Sequence, residues 1–273
     1  MLLSSVIIIL REVLEAALLI SVLLAITSRI SLSFQWAVWS FIVGLGGAIL
    51  YAFSVDRVSD WFDGVGQEVT NALLQLGIYS MLAIFIFTLL RILASPGSRP
   101  GIFIASIMTA VVSLAMTREG FEILIYLYSF SQEPQHVSAV IMGAVIGASI
   151  GVSVGILFYY ILRNQPANRI IHIAIFLLIL VAAGMSSQAA LLLIQADWLP
   201  SQLPLWNSSA WLSETSVTGQ LMYALIGYEA TPTAIQVGFY FGGIGLLILL
   251  YTLTRWLNGW QEFSLKTDRG TDS

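Results

Sequence analysis

The amino-acid sequence predicts an all-α, polytopic membrane protein with seven transmembrane helices, organised as a three-plus-three inverted repeat plus one terminal helix. Three observations support this prediction. Hydrophobic residues make up 58% of the 273-residue chain and charged residues only 10%, whereas soluble domains are about one-quarter charged. Seven apolar stretches are long enough to cross a bilayer core of about 30 Å. A five-residue charged motif also occurs twice, three stretches apart.

The seven apolar stretches follow one another along the chain, separated by residues that interrupt helices. They cover residues 4–28, 34–55, 70–93, 101–130, 137–162, 170–196 and 233–257. The breaks contain Ser95-Pro96-Gly97, Pro134, Asn164-Gln165-Pro166, Pro200, Pro204 and Pro232, and such residues typically mark turns and loops. We do not expect a cleaved signal peptide, because the first ten residues contain no basic side chain and charged residues interrupt the apolar run that follows.

Basic and acidic residues between the stretches fall on opposite sides of the membrane, and this distribution predicts the orientation of the chain. The connections after stretches one, three and five, with the C-terminal tail, hold most of the basic residues: Arg29, Arg91, Arg99, Arg163, Arg169, Arg255, Lys266 and Arg269. The opposite connections hold Asp56, Asp60, Asp63, Glu68, Glu133, Asp197, Glu214 and Glu229, with Arg57. Because basic residues favour the cytoplasmic side, we expect a cell-membrane protein with its N-terminus outside and its C-terminus in the cytoplasm.

The same reasoning divides the single membrane domain, residues 1–273, into five parts. Residues 1–100 are the first three-helix repeat and 101–196 the second; 197–232 form an outer loop, 233–257 the seventh helix and 258–273 a cytoplasmic tail. Within the loop, the apolar stretch 215–228 is expected to form a short helix at the outer surface. The series Gly143, Gly147, Gly151 and Gly155 predicts a close helix contact. We expect the acidic residues Asp56, Asp60, Asp63 and Glu68 to attract cations to an entrance.

The charged motif places six ionisable side chains inside predicted spans. Its copies are Arg11-Glu12-Val13-Leu14-Glu15 and Arg118-Glu119-Gly120-Phe121-Glu122, 107 residues apart. Three spans separate them, so the second copy enters the membrane from the opposite face, as in transporters whose substrate site lies at a repeat interface. At about 100° per residue, the three charges of each copy share one arc of roughly 100°.

The excess of glutamates over arginines in these motifs indicates a path for cations across the membrane. Each buried charge costs about 2.5–3.5 kcal/mol on insertion scales, and two arginines cannot neutralise four glutamates. The cluster must take up protons or bind a cation. Carboxylate oxygens suit hard or borderline cations such as iron, manganese and magnesium, so we predict that Glu12, Glu15, Glu119 and Glu122 bind metal and that Arg11 and Arg118 orient them. The simpler interpretation is an ion-pair cluster that joins two helices.

Other function classes find less support in the sequence. The chain has no cysteine, which excludes disulfides and thiolate chemistry, and the absence of basic clusters argues against nucleic acid. We expect no prosthetic group and no enzymatic activity, since interfacial clusters of His, Asp or Ser are lacking. The remaining alternatives are a proton-coupled carrier, a transporter of another divalent cation, and a metal sensor or structural subunit.

The doubled motif resembles the signature of the oxidase-dependent iron permeases, the iron/lead transporter superfamily. In that family Arg-Glu-x-x-Glu occurs in the first and fourth of seven spans. The segment from Thr218-Gly219-Gln220 to Gly227-Tyr228-Glu229-Ala230-Thr231-Pro232 is similar to the entry of the family's last span. The resemblance covers nearly the whole chain and implies uptake of ferric or ferrous iron, with the motif glutamates as ligands.

The resemblance also implies a partner and reveals two departures. Family members often receive iron from a separate oxidase or another periplasmic or extracellular protein, and no oxidase domain is present in this chain. Asn71 stands where the family commonly has a glutamate near the start of the third span, and Gln236 stands near a position that is acidic in some members. These departures leave a divergent member that carries another divalent cation as an open possibility.

Overall fold

A computed structural model describes residues 1–94, 101–131 and 134–270, and within these ranges the protein is helical, without β-strands. The helices are α1 (Leu2–Thr27), α2 (Gln35–Ser59), a 3-10 turn (Trp61–Gly64), α3 (Gly66–Ala94), α4 (Ile102–Ser131), α5 (Pro134–Arg163), α6 (Ala167–Gln195), α7 (Val217–Ile226) and α8 (Ala234–Gly270). The predicted break at Ser95-Pro96-Gly97 and the charges Arg99 and Glu133 lie outside the described residues.

Six helices among the described residues are long and apolar enough to cross a membrane: α2, α3, α4, α5, α6 and α8. Helix α1 has 26 residues, which at about 1.5 Å per residue also exceeds the hydrocarbon thickness. It differs from α4 in the position of its motif: Arg11, Glu12 and Glu15 lie near the middle of α1, whereas the motif of α4 follows an uncharged stretch from Ile102 to Thr117. The architecture is consistent with the predicted polytopic membrane protein, and the predicted count of seven spans depends on α1.

The main helix contacts join the first three long helices to the next three. Helix α1 packs most extensively on α5, α2 packs on α4, α3 packs on α6, and α1 crosses α4. Small residues permit these close approaches, as predicted for the glycine series of α5. A Cβ on Gly147 would lie 2.6 Å from the Val6 carbonyl oxygen of α1, and a Cβ on Gly44 of α2 would lie 2.6 Å from Met116 Cβ of α4.

The largest apolar core occupies one half of the bundle. It is built from the C-terminal halves of α1 and α3 and the N-terminal halves of α4 and α6, and Leu23, Leu82, Phe85, Met108 and Leu178 are among its fully buried members. The charged motifs lie in the other half. The core therefore fills the end of the bundle that contains the C-terminus of α1, which is the predicted cytoplasmic end.

Two segments differ from simple loops. The predicted outer loop contains α7, where the Ser216 side chain accepts a hydrogen bond from the Gly219 amide and Gly227 ends the helix at φ +65°, a conformation that favours glycine. Helix α8 continues to Gly270, through most of the predicted tail. That tail has no proline, so no residue in it is expected to stop the helix.

Candidate metal site

The crossing of α1 and α4 brings three motif glutamates together. Glu12, Glu15 and Glu119 each offer a carboxylate oxygen, and these three oxygens lie within 4.8 Å of one another. All three side chains are buried. We call this group the carboxylate triad. Its members come from both motif copies, because helical periodicity places each copy's charges on the face that meets the other helix.

Arg118 joins the triad to the fourth glutamate. Its Nη1 lies 3.2 Å from Glu15 Oε2 and 2.7 Å from Glu119 Oε1, and its Nη2 lies 3.0 Å from Glu122 Oε1. The guanidinium is itself buried. Charge-assisted hydrogen bonds of this kind hold carboxylates in fixed orientations, so Arg118 fixes the positions of glutamates from both helices.

Glu122 and Arg11 lie towards the edge of the cluster. The Glu122 side chain is 32% exposed and contacts Arg118 but does not join the triad. Arg11 Nε lies 3.6 Å from Glu15 Oε1, and the Arg11 side chain is 38% exposed. Its guanidinium carbon lies 3.9 Å from the centroid of the Tyr223 ring in α7, a cation–π geometry. The two motif arginines therefore have unequal environments: one is central and the other peripheral.

Three triad oxygens have no hydrogen-bond partner among the described residues. They are Glu12 Oε2, Glu15 Oε1 and Glu119 Oε2, and all are covered from solvent. Glu15 Oε1 faces Arg11 Nε at ion-pair distance, so the two oxygens without either kind of partner among these residues are Glu12 Oε2 and Glu119 Oε2. Leaving a buried acceptor unpaired costs free energy, and more so for a charged one. A bound cation or added protons would satisfy these oxygens, and an all-oxygen donor set suits hard cations such as iron.

Two glutamines extend the cluster into α3 and α6, and the sequence prediction missed both. The side-chain amides of Gln75 and Gln188 lie 2.5 Å apart, and Gln188 Nε2 lies 3.5 Å from Glu15 Oε2. In the alternative orientation of its amide, Gln75 accepts from Arg118 Nη1 and Nε at 3.0 Å each and no longer donates to Gln188. The available signal was a neutral amide inside each apolar stretch.

The two positions that depart from the family pattern are both buried and engaged. Asn71 Oδ1 lies 3.3 Å from the Tyr51 hydroxyl, and the Tyr51 ring stacks on Phe121 with centroids 3.8 Å apart. Gln236 accepts from the Thr233 amide at 2.9 Å and donates to Glu229. Neither residue belongs to the triad.

The predicted entrance residues surround the connection between α2 and α3. Asp56, Asp60 and Asp63 are exposed, and Glu68 is half-buried in the first turn of α3. Asp63 adopts a left-handed conformation, with φ 64°. None of the four joins the triad, so the structure brings together the motif residues but does not add the entrance residues to them.

Comparison with protein-family models finds a match to the iron permease FTR1 family over residues 87–258. This range includes the second motif, α7 and the apolar part of α8, and it excludes the first motif. Comparison with curated proteins and with solved structures finds no significant match. Together with the six long apolar helices, the family match supports a multi-pass membrane permease for iron transport. Because the match covers well over half of the chain, the protein belongs to the iron permease FTR1 family.

Proposed function

We propose that this permease moves iron across the membrane through the carboxylate triad, with Glu12, Glu15 and Glu119 as transient ligands. The observation that supports this proposal is the convergence of three buried carboxylates that each keep one oxygen without a hydrogen-bond partner. A structural ion-pair cluster would be expected to satisfy its oxygens internally. A cation-binding site instead needs free oxygens in reach of one another.

Arg118 provides both alignment and release in this proposal. It holds Glu15 and Glu119 from one side, so their remaining oxygens are oriented before the ion arrives. It also removes one negative charge from the site, which weakens the attraction for a multivalent ion. A transport site must bind its ion and also let it go, and a central arginine serves both needs.

The packing of the helices supports an inverted repeat. In such a repeat α1, α2 and α3 correspond to α4, α5 and α6. The repeat symmetry would then map the α1–α5 contact onto the α2–α4 contact, and it would map the α1–α4 and α3–α6 contacts onto themselves. All four of these helix pairs are in contact. Gly44 and Gly151, which are separated by the motif offset, both make close helix contacts. We therefore propose that the triad lies near the pseudo-two-fold axis and that α1 is itself a span, which brings the number of spans to seven.

Direction and partner follow from the family and the charge distribution. We propose import, with the N-terminus outside and the C-terminus cytoplasmic, and delivery of iron by a separate oxidase or another outer partner protein. The exposed acids Asp56, Asp60 and Asp63 with Glu68 would raise the cation concentration near the outer surface. Neutralising all four should raise the apparent KM for iron at low salt, and an unchanged KM would contradict this role.

The decisive experiment is radio-iron uptake by purified protein in liposomes, under reducing and under oxidising conditions. We expect Glu12→Gln and Glu119→Gln each to abolish most uptake, because each removes a charged ligand from the triad. The control is Asp197→Asn, which removes one exposed acid outside the triad. Normal uptake by both triad variants would contradict the proposal, and the two redox conditions distinguish ferrous from ferric iron.

The free oxygens also fit a second candidate function, a carrier of another divalent cation or a proton-coupled carrier, because protons can satisfy the same atoms. The liposome assay separates these cases. Uptake of manganese or magnesium in preference to iron favours the other cation, and metal-independent acidification of the lumen favours proton coupling.

A further inference from the structure

A lateral fissure separates α2 from α5 on one side of the bundle. These two helices do not pack against each other over their described residues, and the floor of the fissure is formed by α1 and α4. The cavity within it has a volume of about 400 Å³. Two triad members, Glu12 and Glu119, lie at its floor, so the fissure ends at the back of the candidate metal site.

Polar atoms on the fissure wall are already engaged or covered. The Ser21 hydroxyl donates to the carbonyl oxygens of Ala17 and Gly155 at 2.6 and 2.7 Å, and the Tyr159 hydroxyl lies 3.1 Å from Arg163 Nη1. The unpartnered oxygens of Glu12 and Glu119 are covered from solvent. A buried water needs two to four polar partners, and the wall offers it very few.

The mouth of the fissure opens onto the membrane-facing surface. Phe41 and Leu45 of α2 and Val152 and Ile156 of α5 form its rim, and all four are about half exposed. Both helices are candidate membrane spans, and their outer faces continue the same apolar surface. Hydrocarbon is therefore the medium at the mouth.

We propose that the lateral fissure is a binding site for an acyl chain of a membrane lipid. An empty apolar void forfeits dispersion contacts on all its walls, whereas a hydrocarbon chain restores them and needs no hydrogen bonds. The volume lies within the usual range of ligand pockets, about 300–1,000 Å³. The bound chain covers the floor beside Glu12 and Glu119 and keeps water from reaching the triad through the bilayer.

The test uses a phospholipid that carries a photoreactive diazirine on its acyl chain. The protein is reconstituted in nanodiscs with this lipid, irradiated and mapped by mass spectrometry. We expect labels on floor residues of α1, namely Ala16, Ala17 and Ile20, in addition to the outer faces of α2 and α5. Floor residues become labelled only when a chain enters the fissure, so their labelling distinguishes the proposed site from general contact with lipid.

Matched variants make the test specific. Val152→Trp and Ile156→Trp place an indole at the mouth and should abolish labelling of the floor, while labelling of the outer faces is retained. Val145→Trp substitutes an exposed valine of α5 that does not line the cavity, and it should keep wild-type labelling. Floor residues that stay unlabelled in the wild type, or labelling that persists in both mouth variants, would overturn the proposal.

A second copy of the chain is the competing occupant, and the protein's lack of cysteine permits a direct check. Efficient disulfide cross-linking between two copies of a Val152→Cys variant, together with an unlabelled floor, would show that another subunit covers the fissure and would overturn the proposal. The labelling result does not depend on iron transport, so this inference and the proposed function can fail separately.

Discussion

Arg118 lies at the centre of the charged cluster, where its side chain is buried and contacts three of the four motif glutamates. Arg11, its counterpart in the first motif, is more exposed and has one longer ion-pair contact. The doubled motif alone suggested equal roles for the two arginines. The difference arises because α7 packs against α1 and gives Arg11 an aromatic partner, Tyr223, whereas Arg118 contacts Glu15, Glu119 and Glu122 in the bundle interior.

This asymmetry predicts unequal effects of two conservative substitutions. Arg118→Lys replaces a planar guanidinium that reaches three carboxylates with a single ammonium, so we expect a large loss of iron uptake and a lower thermal unfolding temperature. Arg11→Lys keeps the charge at a peripheral position and should have a much smaller effect on both. Equal losses of uptake in the two variants would show that the central position of Arg118 does not make it more important for transport than Arg11.

Gln75 provides a second prediction, since its amide can accept from two nitrogens of Arg118. Gln75→Leu leaves those donors without that acceptor and should destabilise the protein by about 1–3 kcal/mol, the usual cost of an unpaired buried polar group. We also expect a raised KM for iron, because Arg118 would no longer hold the triad in place. Gln35→Leu, at an exposed position in α2, is the matched control and should change neither denaturation nor KM.

At the scale of helices, glycine determines which elements can meet. Gly143, Gly147, Gly151 and Gly155 follow one face of α5, and a Cβ at any of them would lie under 3.0 Å from an atom of α1. The sequence predicted this contact from the spacing of four. It did not predict that α1 would be the partner, because the spacing identifies a contact face without identifying what packs on it.

A pair of glycine substitutions tests this packing. Gly147→Ala would place a Cβ 2.6 Å from a backbone oxygen of α1, and relief requires the helices to separate, so we expect destabilisation of about 1–3 kcal/mol. Gly46→Ala meets no atom within 4 Å and should be neutral or slightly stabilising, since alanine favours helix. Thermal unfolding in detergent compares the two. A stable Gly147→Ala protein would contradict the close α1–α5 packing.

The whole molecule shows which features a single sequence can predict. The lengths of the apolar stretches predicted the long helices. The doubled Arg-Glu-x-x-Glu motif predicted that α1 and α4 would present charged side chains to each other. Glu122 was expected among the converging carboxylates, yet the crossing of the helices decides which charges of each arc meet, and it leaves Glu122 at the edge. Gln75 and Gln188 were missed because isolated amides produce no periodic pattern. The predicted seventh span, 233–257, ends where the composition becomes polar, and α8 continues beyond it to Gly270 because the following segment has no helix-stopping proline.

Orientation is a property of the whole molecule that cysteine labelling can test, since any introduced thiol is the only one in the chain. Asp60→Cys, exposed at the connection of α2 and α3, should react with a membrane-impermeant maleimide added to intact cells. Asn164→Cys, exposed at the connection of α5 and α6, should react only after the cells are permeabilised. The reverse pattern would place the N-terminus in the cytoplasm and reverse the proposed direction of import.

The packed core between the triad and the C-terminal end of α1 has a consequence for the rate of ion transport. From Glu15 to Thr27 the chain of α1 advances by about 18 Å, and this length is bordered by fully buried side chains such as Leu19, Leu23 and Ile26. Interiors packed to crystal-like density have no room for a hydrated ion. An ion that leaves towards the end of the bundle with Thr27 must wait until helices part, and collective helix movements take microseconds to milliseconds. We therefore expect the rate of iron transport to saturate with iron concentration, as in a carrier, and to stay far below the rate of ion flow through an open pore.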